Sequence, residues 1–475
     1  MSFNSLPFIA FLVALVCVYR RLSITRQNAF LLAASYVFYC WWDWRFGFLL
    51  MASTVVDFFV GLRLGAATVA STRKKYLAVS IVFNLSVLCF FKYFGFFVDS
   101  ISLMLNEIGL RADMPVLRVI LPLGISFYTF KTMTYTIDVY RKQMPPETRF
   151  VNYALYVSFF PQLAAGPIDR ARNLLPQIGS PREVSRQQFI DGLSLMIMGF
   201  FKKVAIADTL APIVDKVFSA PGSFSSGELL SGMYAYAFQI YGDFSGYTDI
   251  ARGVALLLGF NTMENFRTPY FSRNITDFWR RWHISLSTWF RDYVYIGLGG
   301  NRAGKIRTYL NLLITMVLCG FWHGAAWTFV AWGTAHGVYL SLHRLLFGKV
   351  RIDAARSGSF LYRINELVKI LLTFHLVAFT WIAFRAPDFE TVLVYLRGIF
   401  RFDGMRNFDY SILFACGLIF ILDVIQETAK TNTWLLNKAT PWPIRYALPQ
   451  MLLVAIAVAS IAHVNTIAPF IYFQF

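Results

Sequence analysis

Charge is scarce in this chain. Asp, Glu, Lys and Arg make up 15% of the residues, where an ordinary soluble protein carries about a quarter. That deficit excludes a water-soluble globule, whose surface needs more ionic groups than this. The five cysteines (Cys17, Cys40, Cys89, Cys319 and Cys416) fall singly inside apolar segments, a pattern that fits neither a disulfide framework nor a thiolate metal site. They read as packing residues. A Gly-rich phosphate loop, a GxSxG elbow and an HExxH pair are all missing, and His and Cys never cluster at metal spacing, so no metal site is expected. No long linker, low-complexity tract or soluble module interrupts residues 1–475, which are expected to form one membrane domain. No Lys or Arg precedes the first apolar block, so it does not read as a secretory signal peptide.

What the chain has instead is hydrocarbon in blocks. Hydrophobic residues make up 57% and aromatic residues 18%. Phe8 to Val18, Phe30 to Trp42, Leu77 to Phe91, Leu310 to Phe321, Ile370 to Phe384, Ile412 to Leu422 and Met451 to Ile461 each run almost uncharged. With their flanks, several reach the roughly 20 residues that span a bilayer. The expected fold class is an all-α polytopic membrane protein with about 11–13 transmembrane and re-entrant segments. Breaks at LPLGISFYTF (121–130) and FPQLAAGPI (160–168) suggest re-entrant pieces around a chamber, since irregular backbone at membrane depth must be buried or line a cavity. The clusters Arg20, Arg21, Arg26 and Arg73, Lys74, Lys75 predict cytoplasmic loops and an extracytoplasmic N-terminus. The net charge of +18 fits the same bias and attraction to anionic lipid, or a basic mouth that meets an anionic substrate. The basic residues are spread over short loops, so nucleic acid is not an expected partner.

Two stretches carry chemistry. Residues 277–295, DFWRRWHISLSTWFRDYVY, read as an interfacial amphipathic helix with Trp279, Trp282, His283, Leu286, Phe290 and Tyr293 on one face. On residues alone His283 is equally compatible with a structural and a functional role. Residues 308–347 would measure about 60 Å as one straight helix, twice the hydrocarbon thickness. They must therefore turn, at one of Gly320, Gly324, Gly333 or Gly337, into a hairpin flanked by Arg302, Lys305 and Arg307 at one end and Arg344, Lys349 and Arg351 at the other. The pairs Gly320/Gly324 and Gly333/Gly337 permit close helix approach. His323 then lies at membrane depth, where ionisable side chains are costly and serve function by default. His336, His343, His375 and His463 read as structural. Asp243 and Asp249, in YGDFSGYTDIARG, read as ion-pair scaffolding that orients a histidine or a cation such as Arg252.

LPLGISFYTF (121–130) with IDVYR (137–141), FFPQLAAGPIDR (159–170), DFSGYTDIARG (243–253), ENFRTPYFSRNITDFWRRWHISLSTWFRDYVYIGLGGNR (264–302), FWHG (321–324), WIAFRAPDF (381–389) and FIYFQF (470–475) follow one another in order. Together they resemble the membrane-bound O-acyltransferase family, within it the bacterial alginate O-acetyltransferase branch. Departures include Gly297 for the usual Pro, Gly242 for an aromatic, and Lys131 where Gln is common.

The resemblance implies a ring of helices around a central tunnel open to both membrane faces. It implies an O-acetyltransferase in the bacterial inner membrane that passes an acetyl group outward for O-acetylation of an exported polysaccharide such as alginate or cellulose. It puts the catalytic pair on His323 and His283. Trp282, Trp322, Arg280, Arg281, Asp243 and Asp249 are the accompanying substrate-binding candidates. No cofactor is expected to stay bound; acetyl-CoA is the expected acyl donor. A periplasmic acetyltransferase and an exopolysaccharide biosynthesis complex are the expected partners. D-alanyl transfer and peptidoglycan acetylation use the same chemistry with other cargo. A glycan transporter or a non-catalytic assembly subunit is the rival of another class; a transporter predicts inverted repeats, and the motifs have no counterparts in the other half.

Overall fold

The computed structural model describes residues 1–110, 120–163, 166–302, 304–348, 360–438, 440–462 and 470–471. His463, Lys349, Arg351 and the last four residues of FIYFQF lie outside the described residues. Among the described residues all regular structure is helical, the form in which a single segment satisfies its own backbone in hydrocarbon. Arg45–Ala66, Ala70–Glu107, Phe360–Arg385, Ile412–Ala429 and Trp442–Ala462 are long and apolar enough to cross a bilayer. Lys305–His323 and Trp327–Phe347 match them in length but turn Asn311, Thr315, His323 and His336 inward, which lowers their apolar signal. Large apolar side chains stand exposed, among them Phe48, Phe414, Val454 and Ile461, while Asp57, Asn84, Lys203, Asp243, His283 and His323 are buried. This inversion is expected where lipid is the solvent.

The chain divides into two compact units, Met1–Met196 with Asp249–Met263, and Ile197–Thr248 with Glu264–Phe475. The first is threaded by buried polar side chains. Asn84 Nδ2 donates to Asp57 Oδ2 at 2.6 Å and to the Ser80 carbonyl at 2.9 Å, while Thr132 donates to Asn84 Oδ1 at 3.0 Å. These contacts link the Arg45–Ala66, Ala70–Leu88 and Ile125–Tyr140 helices. Arg73, read from sequence as a loop charge, is buried; it donates to the carbonyls of Leu64, Ala67, Val139 and Tyr140 and so caps the C-terminal ends of two helices. Lys131 donates to Gln162 at 2.8 Å, and Gln162 to Asp169 at 3.1 Å. A carboxamide thus separates this buried ion pair.

The second unit contains the hairpin that the length argument requires. Lys305–His323 ends at Gly324, and Trp327–Phe347 begins three residues later. The two helices cross on glycine. A Cβ built on Gly320 would lie 3.0 Å from Gly333 Cα and would overlap the Phe329 carbonyl, so side chains at the crossing would force the helices apart.

The single amphipathic helix expected over 277–295 is not present. Ile275–Arg281 ends, His283 takes left-handed backbone at φ 42°, and Ile284–Trp289 starts afresh before a π-helical stretch, Phe290–Tyr295. The cause lies upstream. Arg267 N–H donates to the Arg281 carbonyl at 2.9 Å, and Ile284 N–H donates to the Asn265 carbonyl at 2.9 Å. These groups would otherwise continue the helical ladder, and pairing with 265–267 draws them away from it. Of the cysteines, Cys319 and Cys416 are packed inside as expected, whereas Cys17 and Cys89 are exposed; all five are free.

Candidate active site

His323 is the last residue of its helix, and the chain turns away at Gly324. A helix end frees the side chain from the crowding of a following turn, and the glycine crossing three residues earlier fixes its depth. The imidazole is buried among aromatic rings. Trp322, Trp332 and Phe384 lie 5.0, 5.2 and 5.3 Å from it by ring centroid. Trp332 stacks in turn on Trp381 at 5.7 Å. Such walls exclude water and strengthen any electrostatic interaction made inside them.

His283 arrives from the other break. Its ring centroid stands 6.3 Å from that of His323 and 6.1 Å from Trp322. Phe244 meets it edge-on at 4.7 Å, and Phe266 flanks it at 6.3 Å. Nδ1 lies 3.0 Å from Asn265 Oδ1. Burial pulls the pKa of this imidazole down to about 3, which keeps the ring neutral at physiological pH. Two imidazoles this close, within an aromatic enclosure, can hold one substrate group between them and exchange its proton.

The other candidates separate by location. Trp322 joins the pair, touching both rings. Trp282 adjoins His283 in sequence, and its ring is fully buried against Phe278, Tyr270 and Trp381. Arg280 is exposed. Arg281 pairs with Asp277 at 3.3 Å and Glu427 at 3.1 Å, a clamp on the helix that delivers His283. Asp249 faces Arg252 at 3.6 Å, as ion-pair scaffolding requires. Asp243 is scaffolding too, with a partner that spacing did not suggest: Lys203 Nζ, 2.8 Å away, which also meets Asp208 at 2.8 Å. Its second oxygen accepts the Ile471 N–H at 2.6 Å. Phe470, beside it, packs on Tyr247 at 4.2 Å and Phe244 at 5.9 Å, so one ring, Phe244, separates it from His283.

The remaining described histidines carry structural contacts. His336 Nε2 meets Thr380 Oγ1 at 3.0 Å, His343 Nδ1 meets Thr276 Oγ1 at 3.2 Å, and His375 Nε2 meets the Tyr234 hydroxyl at 2.9 Å. Sequence reasoning passed over Asn265, Lys203 and Phe384. Asn265 lay inside a quoted motif, but no spacing rule links it to a histidine 18 positions on.

Residues 67–384 match the model of the membrane-bound O-acyltransferase family. The chain is 43% identical over 413 residues to "Probable alginate O-acetylase AlgI" of Azotobacter vinelandii, covering 86% of this chain and 80% of that protein. It is 38% identical over 471 residues to the protein of the same name in Pseudomonas putida, covering 94% of each. Similarity to "Peptidoglycan O-acetyltransferase" of Helicobacter pylori is 35% over 401 residues, 79% of this chain and 74% of that protein. The chain belongs to the membrane-bound O-acyltransferase family and is a multi-pass membrane O-acyltransferase.

Proposed function

We propose that this protein takes the acetyl group of cytoplasmic acetyl-CoA and passes it across the bacterial inner membrane for O-acetylation of an exported polysaccharide of the alginate or cellulose type. Its N-terminus lies outside, a periplasmic acetyltransferase is its receiving partner, and an exopolysaccharide biosynthesis complex is its setting. The observation that carries it is the meeting of His283 and His323 in an aromatic enclosure, and it is supported by relatives named for alginate acetylation at 38–43% identity.

A thioester is already activated, so the enzyme has to align an alcohol and remove its proton. His323 acts as general base: the alcohol oxygen attacks the thioester carbonyl carbon while its proton passes to the imidazole. The C–S bond then breaks, and the departing CoA thiolate takes that proton back. Positioned proton transfer of this kind is worth about 10²–10⁴ in rate. Trp322, Trp332 and Phe384 keep water from hydrolysing the donor. Exposed basic side chains such as Arg280 meet the coenzyme phosphates at the mouth.

A second reading keeps the chemistry and changes the cargo. It is favoured by the 35% identity to the peptidoglycan enzyme and by 31% identity over 282 residues to "Teichoic acid D-alanyltransferase" of Streptococcus thermophilus. Incubating the purified protein with labelled acetyl-CoA and a set of soluble acceptors decides between them. Acetyl ester on an alginate or cellulose oligosaccharide supports the first reading. Ester found only on muropeptide, or formed only from a D-alanyl thioester, replaces it with the second.

A further inference from the structure

What the His283 imidazole can do depends on which of its nitrogens carries hydrogen, and the surrounding donors fix the answer. A carboxamide presents an acceptor oxygen and a donor NH2 that are told apart by their partners. The backbone N–H of Ser285, whose hydrogen cannot rotate, is directed at the same Asn265 atom that faces His283, at 3.2 Å. An NH2 there would set donor against donor, so the atom is the oxygen. The Ser285 hydroxyl, 2.9 Å from that oxygen and 3.5 Å from His283 Nδ1, donates to the oxygen as the nearer acceptor. A lone pair on His283 Nδ1 would then place two acceptors 3.0 Å apart at a fully buried position, a repulsion of the kind that buried polar groups avoid. Nδ1 therefore carries the hydrogen, and the lone pair of the neutral ring falls on Nε2.

The backbone makes this arrangement rigid. His283 sits in the left-handed region, which a non-glycine residue occupies only when its surroundings hold it there. Asn265 supplies both grips, its carbonyl taking the Ile284 N–H at 2.9 Å and its side chain taking the ring. Phe244 and Phe266 close on the imidazole from its sides.

We propose that Asn265 is a positioning residue that locks His283 in its Nδ1–H tautomer, so that this ring serves the reaction as a hydrogen-bond acceptor through Nε2. It holds an O–H or N–H group of the bound substrates and does not donate to the thioester carbonyl, because a neutral ring with Nδ1–H already engaged has no second N–H to give. The inference rests on the acyl-transfer reading above and assigns His283 a task distinct from that of His323.

The test uses the full-length protein in detergent, labelled with ¹⁵N-histidine, with His283→Gln to identify the resonances of this ring. A protonated Nδ1 and an unprotonated Nε2 are expected; a protonated Nε2 with a bare Nδ1 overturns the proposal. Turnover supplies the second arm. Asn265→Ala lowers kcat on the order of 10²-fold and leaves the KM for the donor unchanged. Asn265→Asp keeps the acceptor oxygen and recovers rate at alkaline pH. Its added carboxylate favours the imidazolium, so the acid limb of the profile moves to higher pH. An Asn265→Ala enzyme of undiminished kcat, or an Asn265→Asp profile that overlays the unsubstituted one, also overturns it. The spectrum needs no turnover, so a wrong tautomer in an active enzyme defeats this proposal alone, whereas an inactive protein with the expected tautomer defeats only the acyl-transfer reading.

Discussion

His323 closes one helix, His283 opens another, and their ring centroids stand 6.3 Å apart. Both rings thus occupy helix ends, where the backbone has already turned aside. Neither needs to displace a neighbouring turn to reach the other. The pairing follows from two breaks in the chain rather than from any sequence spacing.

A buried histidine in this protein is not by that fact a participant. His336 is fully buried, with Nε2 held at 3.0 Å from Thr380 Oγ1 and its ring 4.8 Å from Trp332. His336→Gln is expected to keep transfer within a few-fold of the unsubstituted enzyme while stability falls by about 1–2 kcal/mol, the cost of an imperfectly replaced buried hydrogen bond. Parallel measurement of initial rate and detergent-solubilised melting temperature checks this; loss of rate without loss of stability would count against it.

Lys203 bridges two carboxylates, Asp208 and Asp243. Breaking a buried pair from one side costs about 3–5 kcal/mol because the other charge is stranded. Lys203→Ala strands both carboxylates and is expected at the upper end. Asp243→Asn leaves the ammonium with Asp208 and is expected at the lower end. The ordering of the two melting temperatures is the observable, and a reversed order contradicts the ion-pair account.

At the hairpin crossing, Gly320→Ala is expected to destabilise by about 1–3 kcal/mol through overpacking, because the new Cβ meets Gly333 and the Phe329 carbonyl. Activity should fall with it, since His323 lies three residues on. Gly417, with no atom near its Cβ position, supplies the control. Gly417→Ala is expected to be neutral or slightly stabilising, as for glycine replaced within a helix.

Adjacent arginines should behave differently. Arg280 is exposed, and Arg280→Ala is expected to raise the KM for acetyl-CoA a few-fold with kcat unchanged, an effect that shrinks as salt is added. Arg281 is tied to Asp277 and Glu427; Arg281→Ala is expected to cost about 0.5–1 kcal/mol of stability, the worth of a partly exposed pair. Steady-state kinetics at two ionic strengths with thermal melts distinguishes the roles.

Helical class and membrane character were legible because hydrophobic blocks of bilayer length report them directly. The hairpin over 308–347 followed from length alone, and glycine named its crossing. His323 was marked by its setting, since a titratable group in hydrocarbon is conspicuous. The break at His283 was not legible. A helical wheel assumes that the ladder continues, and here Asn265 and Arg267, from an earlier stretch of chain, draw its backbone partners away. The partner of Asp243 was missed for the same reason, as Lys203 comes from another helix, 40 positions earlier.

The central claim is that His323 removes the proton of the acceptor alcohol. Purified His323→Ala, assayed for acetyl transfer from acetyl-CoA alongside donor binding by filter retention, tests it most directly. The expected result is near-normal donor binding with transfer reduced by about 10²–10⁴. Transfer at the rate of the unsubstituted enzyme, with the same acceptor and at the same pH, would contradict it.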